Sequence, residues 1–135
     1  AMTLEHYPGM TEAVIHEFQH NKINMLFHVD AVMENAFFPL FSSPVRPDPR
    51  PLHGVILAAH AFVPVAELYR RLAESDSPLS KRRGFKDRFN HIVTSNSSAL
   101  DVLVDNAKPT RLGQAVIEEM VDLNREHSAF LGAYL

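Results

Sequence analysis

Residues 11–38 read TEAVIHEFQHNKINMLFHVDAVMENAFF, an unbroken run without proline or glycine that lies between Pro8-Gly9 and Pro39. A run of that length predicts one long helix. Thr11 is its expected N-cap, Glu12 sits in the first turn where the helix dipole favours an anion, and Pro39 is the expected stop. Ile15, Ile23, Leu26, Val29 or Asp30, Met33 and Phe37 recur close to three- and four-residue spacing, so they are expected to form its buried face.

Downstream, residues 38–51 carry Pro39, Pro44, Pro47, Pro49 and Pro51, which is five of the nine prolines in the chain. Each proline fixes its own φ and biases the residue before it towards extended geometry, so a stiff loop without regular structure is expected. A second helix is predicted from Pro51 to about Ala73, inward at Val55, Ile56, Ala59, Phe62, Val63, Ala66 and Tyr69. Pro64 is expected to kink it, because it cannot donate to the carbonyl of His60. Residues 74–84 (ESDSPLSKRRG) read as an exposed connection, with Lys81-Arg82-Arg83 as a solvated face. A third helix is predicted from Phe85 to Val104, inward at Phe85, Phe89, Ile92, Val93, Leu100 and Leu103. Thr110 should cap a fourth, on which Leu112, Val116, Met120, Leu123 and His127 share a face. No alternating strand pattern and no internal repeat is visible. The expectation is a single all-α domain over residues 1–135, a compact bundle of about four helices with a proline-rich loop between helices 1 and 2.

Composition removes several classes. The 135 residues contain no cysteine, which excludes disulfides, thiolate zinc sites and iron–sulfur clusters. A net charge of -3 argues against a nucleic-acid partner. No basic-then-apolar leader and no apolar run of membrane-spanning length stands out, so no membrane partner is expected and the cytoplasm is the default location. Histidine, at 8, is abundant.

Two of those histidines lie in His16-Glu17-Phe18-Gln19-His20, an H-E-x-x-H motif within the first predicted helix. Residues four apart sit one turn above the other, so both imidazoles can address one ion while Glu17 projects near it. In a chain of this composition a chance match is roughly 3%. His16 and His20 share a face with Ile23 and Phe27 and are expected to point inward, where imidazoles need partners. For a third ligand, His53, His60 and Glu67 fall seven residues apart on the second helix. His60 is preferred because it lies among Ala58, Ala59, Ala61 and Phe62 at the level of Pro64. Glu67 would complete a two-histidine, one-carboxylate triad, and it also reads as an ordinary glutamate beside Arg70 and Arg71. From the proline-rich segment, Arg46 and Arg50, flanking Asp48, offer guanidinium forks suited to a small carboxylate.

The segments Val14-Ile-His-Glu-Phe-Gln-His-Asn-Lys-Ile23, Arg46-Pro-Asp-Pro-Arg-Pro-Leu-His-Gly54, Ala59-His-Ala-Phe-Val-Pro-Val-Ala-Glu-Leu-Tyr69 and Thr110-Arg-Leu-Gly113 together resemble the H-E-x-x-H family of peptide-modification clusters. Members of that family are described as 2-oxoglutarate-dependent iron peptide β-hydroxylases. The resemblance implies that His16 and His20 ligate iron(II), that His60 is the third ligand, and that Arg50 receives a 2-oxoglutarate carboxylate. Its substrate would be a peptide or an amino-acid-derived molecule. Family members carry a substantial region before this helix, whereas here the motif begins at residue 16. The chain is therefore expected to be the metal-binding half of such a domain, or to complete its pocket with a second subunit, most simply as a homodimer.

Two mechanisms fit the motif. As an oxygenase, the protein holds iron(II) and 2-oxoglutarate and aims a substrate carbon, with Glu17 orienting a ligand. As a zinc peptidase, Glu17 is the general base that activates a metal-bound water. Zinc peptidases commonly pair this helix with a substrate-aligning edge strand. The expected lack of strands and the Arg-bearing loop favour the oxygenase, and a non-catalytic helical interaction module is the third possibility.

Overall fold

A computed structural model of the chain describes residues 7–43 and 46–135. Four long helices dominate it: α1 (Tyr7–Val29), α2 (Leu52–Glu74), α3 (Phe85–Asn106) and α4 (Arg111–Tyr134). Strands β1 (Leu40–Ser43) and β2 (Arg46–Pro51) lie between α1 and α2, and a short 3₁₀ turn, Pro78–Lys81, precedes α3. The all-α expectation holds.

The first helix differs from its expected bounds at both ends. It starts at Tyr7 rather than after Gly9, because a proline in the first turn loses no intrahelical bond. It stops at Val29, ten residues short of Pro39, for a tertiary reason. Beyond it the Asp30 carboxylate accepts from the Val32 N–H and from the Thr110 hydroxyl, both at 2.6 Å. Val32 turns into the left-handed region at φ 66°, a conformation a β-branched residue adopts only when held. Its carbonyl accepts from the Thr110 N–H at 2.8 Å, and Glu34 N–H donates to the Lys108 carbonyl at 2.8 Å. The segment after α1 is thus strapped across the start of α4. A Cβ at Gly113 would stand 1.8 Å from the Val32 carbonyl oxygen, so only glycine permits this crossing. In consequence Val29 and Phe37, expected inside, are exposed, while Val32, Met33 and Ala36 are buried.

The proline-rich segment is also more ordered than expected. β1 and β2 form an antiparallel hairpin pairing Leu40 with Pro51, Phe41 with Arg50 and Ser43 with Arg46, irregular between Phe41 and Ser43. A two-stranded ribbon has only edge strands, where a proline facing outward forfeits no ladder bond. The expectations of an irregular loop and of no strands are corrected on that ground.

α2 occupies the centre and packs against α1, α3, α4 and β2. Leu52, Ile56, Ala59, Ala61, Val65 and Ala66 are fully enclosed on it. Among the described residues only this helix has the length and apolarity of a membrane span, but half of that window is buried inside the bundle. It runs unbroken through Pro64. α3 and α4 follow their predicted faces: Phe89, Ile92, Leu100 and Leu103 are buried on α3, and Met120 and His127 on α4. Thr110 caps α4 by accepting from the Gly113 N–H at 3.1 Å.

Candidate metal centre

The middle of α1 places the H-E-x-x-H residues where α1 crosses α2. The ligand-capable atoms of His16, Glu17 and His20 lie within 4.8 Å of one another. The two imidazole centroids are 4.1 Å apart, and the edge of Phe62 on α2 meets His16 at 5.2 Å. Both histidines are half-buried on the inward side of the helix, as the spacing predicts. The Glu17 carboxylate stays in water, 3.8 Å from His16 Nδ1. Two imidazoles beside a carboxylate form a donor set suited to a divalent first-row ion.

The other candidates sort by position. His60 faces α1, where the main-chain carbonyl of Gln19 accepts from its ring and where His20 and Lys22 are electrostatic neighbours. Burial, reinforced by the Lys22 charge, pushes its pKa down and keeps the ring neutral, the form that ligates metals. Its Nδ1 is buried with no hydrogen-bond partner. His60 stands outside the tight group formed by His16, Glu17 and His20. His53 sits between the rings of Phe27 and Phe37, at 4.6 and 4.8 Å, and burial lowers its pKa too. Glu67 is committed elsewhere: it accepts from Arg70 Nε at 2.6 Å, and its Oε2 is 3.4 Å from Nε2 of His127. Burial pushes the Glu67 carboxyl up, but its bonds to Arg70 and His127 outweigh that and hold it below its ordinary value.

Arg50 folds back over the start of α2 and donates from Nη2 to the Gly54 carbonyl at 3.1 Å. A Cβ at Gly54 would approach that guanidinium to 2.9 Å, so a larger residue there would push the arginine side chain aside. Arg50 lines a cleft of about 260 Å³ between the hairpin, α2 and α3. Phe41, Val55, Ile92 and Val102 give the cleft apolar walls, while Arg88, His91 and Ser95 add polar groups. Phe62 belongs both to this cleft and to the contact with His16, so the Arg50 cleft and the histidine pair adjoin across one ring. Asp48 is exposed, and the side chain of Arg46 lies outside the described residues. Lys81 pairs with Asp76 at the surface.

Sequence reasoning did not single out Arg88, His91 or the pairing of His127 with Glu67. The first two were findable, because Arg88, His91 and Ser95 recur at three- and four-residue spacing along one side of α3. Arg88 is anchored as well, donating to Glu12 on α1 at 2.8 Å, and Glu12 also accepts from the Tyr69 hydroxyl. No known family model matches the chain, and no curated protein is significantly similar to it.

Proposed function

We propose that this protein is a non-haem iron(II), 2-oxoglutarate-dependent oxygenase of the cytoplasm that hydroxylates an unactivated C–H bond of a peptide or amino-acid-derived substrate. The observation that carries the reading is the adjacency of an imidazole pair, His16 and His20, to a mostly apolar cleft bearing Arg50, with Phe62 shared between them. His16 and His20 are the ligands on α1, and His60 is the third: like His53 and His127 it has a buried Nδ1 without a partner, and it is an electrostatic neighbour of His20. When bound, iron(II) and 2-oxoglutarate supply the oxidation: O₂ converts the C–H to an alcohol while 2-oxoglutarate becomes succinate and CO₂.

The chain's own residues supply the rest. Glu17, with its carboxylate 3.8 Å from His16 Nδ1, helps to orient that ligand. The Arg50 fork, oriented by its bond to the Gly54 carbonyl, receives a carboxylate at the cleft. Phe41, Phe62 and Ile92 exclude water from the apolar part of a bound molecule.

The test is anaerobic addition of 2-oxoglutarate to the iron(II) protein, followed by a succinate assay in air. A visible charge-transfer band and succinate formation are expected, and both should be lost in His16→Ala. Absence of both overturns the reading. A second reading, zinc peptidase with Glu17 as general base, gains from the β1–β2 hairpin, because the missing strand no longer counts against it. Peptide hydrolysis by the zinc-loaded protein that is lost in Glu17→Ala would establish that reading instead.

A further inference from the structure

The outer face of α1 carries a stripe of exposed apolar side chains, in addition to the exposed Phe37, Phe38 and Leu40 that follow it in the chain. Met10, Val14, Phe18, Met25 and Val29 are all exposed, from 47% at Met10 to 79% at Val29. On a helix turning about 100° per residue they fall within an arc of about 100°, on the side away from the buried Ile23 and the half-buried His16. α1 has 23 residues, so the stripe runs along a rod about 34 Å long. No described residue covers it. The five side chains leave on the order of 500 Å² of apolar surface in water, the size of the largest apolar patch on a typical monomer, a patch that is often functional.

The spacing of the stripe points to its occupant. Val14, Phe18, Met25 and Val29 are separated by four, seven and four positions, a pattern that reads the same from either end. If a second α1 lies antiparallel about a two-fold axis between positions 21 and 22, Val14 meets the other Val29 and Phe18 meets the other Met25. These four side chains each find an apolar counterpart, and the phenyl–thioether contact is itself favourable; Met10, whose counterpart position 33 lies past the end of α1, stays outside the seam. Asn21 falls at the centre, where an amide in an apolar seam penalises shifted registers. Lys22 lies at the margin, where its long stem keeps the ammonium in water. Full burial of the stripe in such a pair removes about 1,000 Å² in total, the lower bound for a specific interface, to which the flanking residues of α1 add.

We infer that α1 pairs antiparallel with α1 of a second copy through Val14, Phe18, Met25 and Val29, making the protein a two-fold homodimer. The histidine pair and the Arg50 cleft stay on the far side of α1, so the second copy does not wall the site.

Light scattering over a concentration series tests this, with circular dichroism confirming that each variant stays helical. The wild type is expected to be a dimer, and Phe18→Glu should raise its dissociation constant at least about tenfold. In the antiparallel register position 18 faces position 25, so Phe18→Lys combined with Met25→Glu should restore the dimer, whereas Phe18→Lys with Met25→Lys should not. A wild type that stays monomeric throughout the series overturns the inference, including one that is captured by lipid vesicles. So does a dimer indifferent to Phe18→Glu, or a charge-swapped variant that remains monomeric.

Discussion

His16 and Glu17 lie 3.8 Å apart on α1, and His127 and Glu67 lie 3.4 Å apart between α4 and α2, yet these two histidine–glutamate pairs serve opposite ends. The ring of His127 is wholly enclosed, and its carboxylate partner is already taken up by Arg70 and Arg71. The Glu67 carboxylate is shared between two guanidinium groups and the enclosed His127 ring, so the pair fastens α4 to α2. On α1 the rings of His16 and His20 face each other at half-buried positions, with a solvated carboxylate alongside. The same two residue types therefore make a structural clasp or a candidate metal site according to burial and to which charges complete the shell.

The largest expected effect separates the two pairs directly. His16→Ala or His20→Ala should weaken iron(II) or zinc binding by about a thousandfold or more, measured by metal titration, because two remaining ligands do not hold a divalent ion. Unchanged affinity would place the site elsewhere. His127→Ala should leave metal affinity intact and lower the free energy of unfolding by about 3 kcal/mol, since it opens a cavity beside a half-buried Glu67; denaturant unfolding reads this. A cost within error of zero would remove the clasp.

A finer contrast uses the carboxylates. Glu67→Gln should cost about 1–2 kcal/mol of stability by breaking its bonds to Arg70 and His127, whereas Glu17→Gln should leave stability unchanged and move metal affinity by less than about tenfold. The smallest effect is in pH. Burial depresses the His127 pKa below its ordinary value of 6.5. Folding therefore favours the neutral ring, and its stabilisation is complete above pH 6.5. It is lost as pH falls from there through the folded value, because the unfolded chain takes up the proton first. Urea midpoints of the metal-free protein should fall as the pH drops below about 6.5, with a shallower fall in His127→Gln.

Much of this was legible from spacing. The inward side of α1 at His16, His20 and Ile23, the buried rows of α2 and α3, and the Thr110 cap all follow from helical periodicity and capping chemistry, which are local. The end of α1 was not, because its stop depends on Asp30, Val32 and Thr110 meeting across 80 residues of chain. The hairpin was hidden because prolines suppress strand signals, although an edge ribbon tolerates them. For the candidate site, the motif identified the pair on α1 and the apolar setting of His60. That Glu67 is committed to Arg70 and His127, and that Arg88 and His91 share a cleft with Arg50, became visible only with the packing of α2 against α3 and α4.

What the sequence by itself determined is a four-helix protein with two imidazoles one turn apart on a single helix, because helix formation and the i, i+4 relation depend only on neighbouring residues. What the tertiary structure alone decided is the environment of each histidine. His127 became a clasp, His53 an aromatic filler and His60 a half-buried ring facing α1, each with one buried ring nitrogen left without a partner. Burial and ion pairing are sums over residues distant in the chain, and no local pattern encodes them.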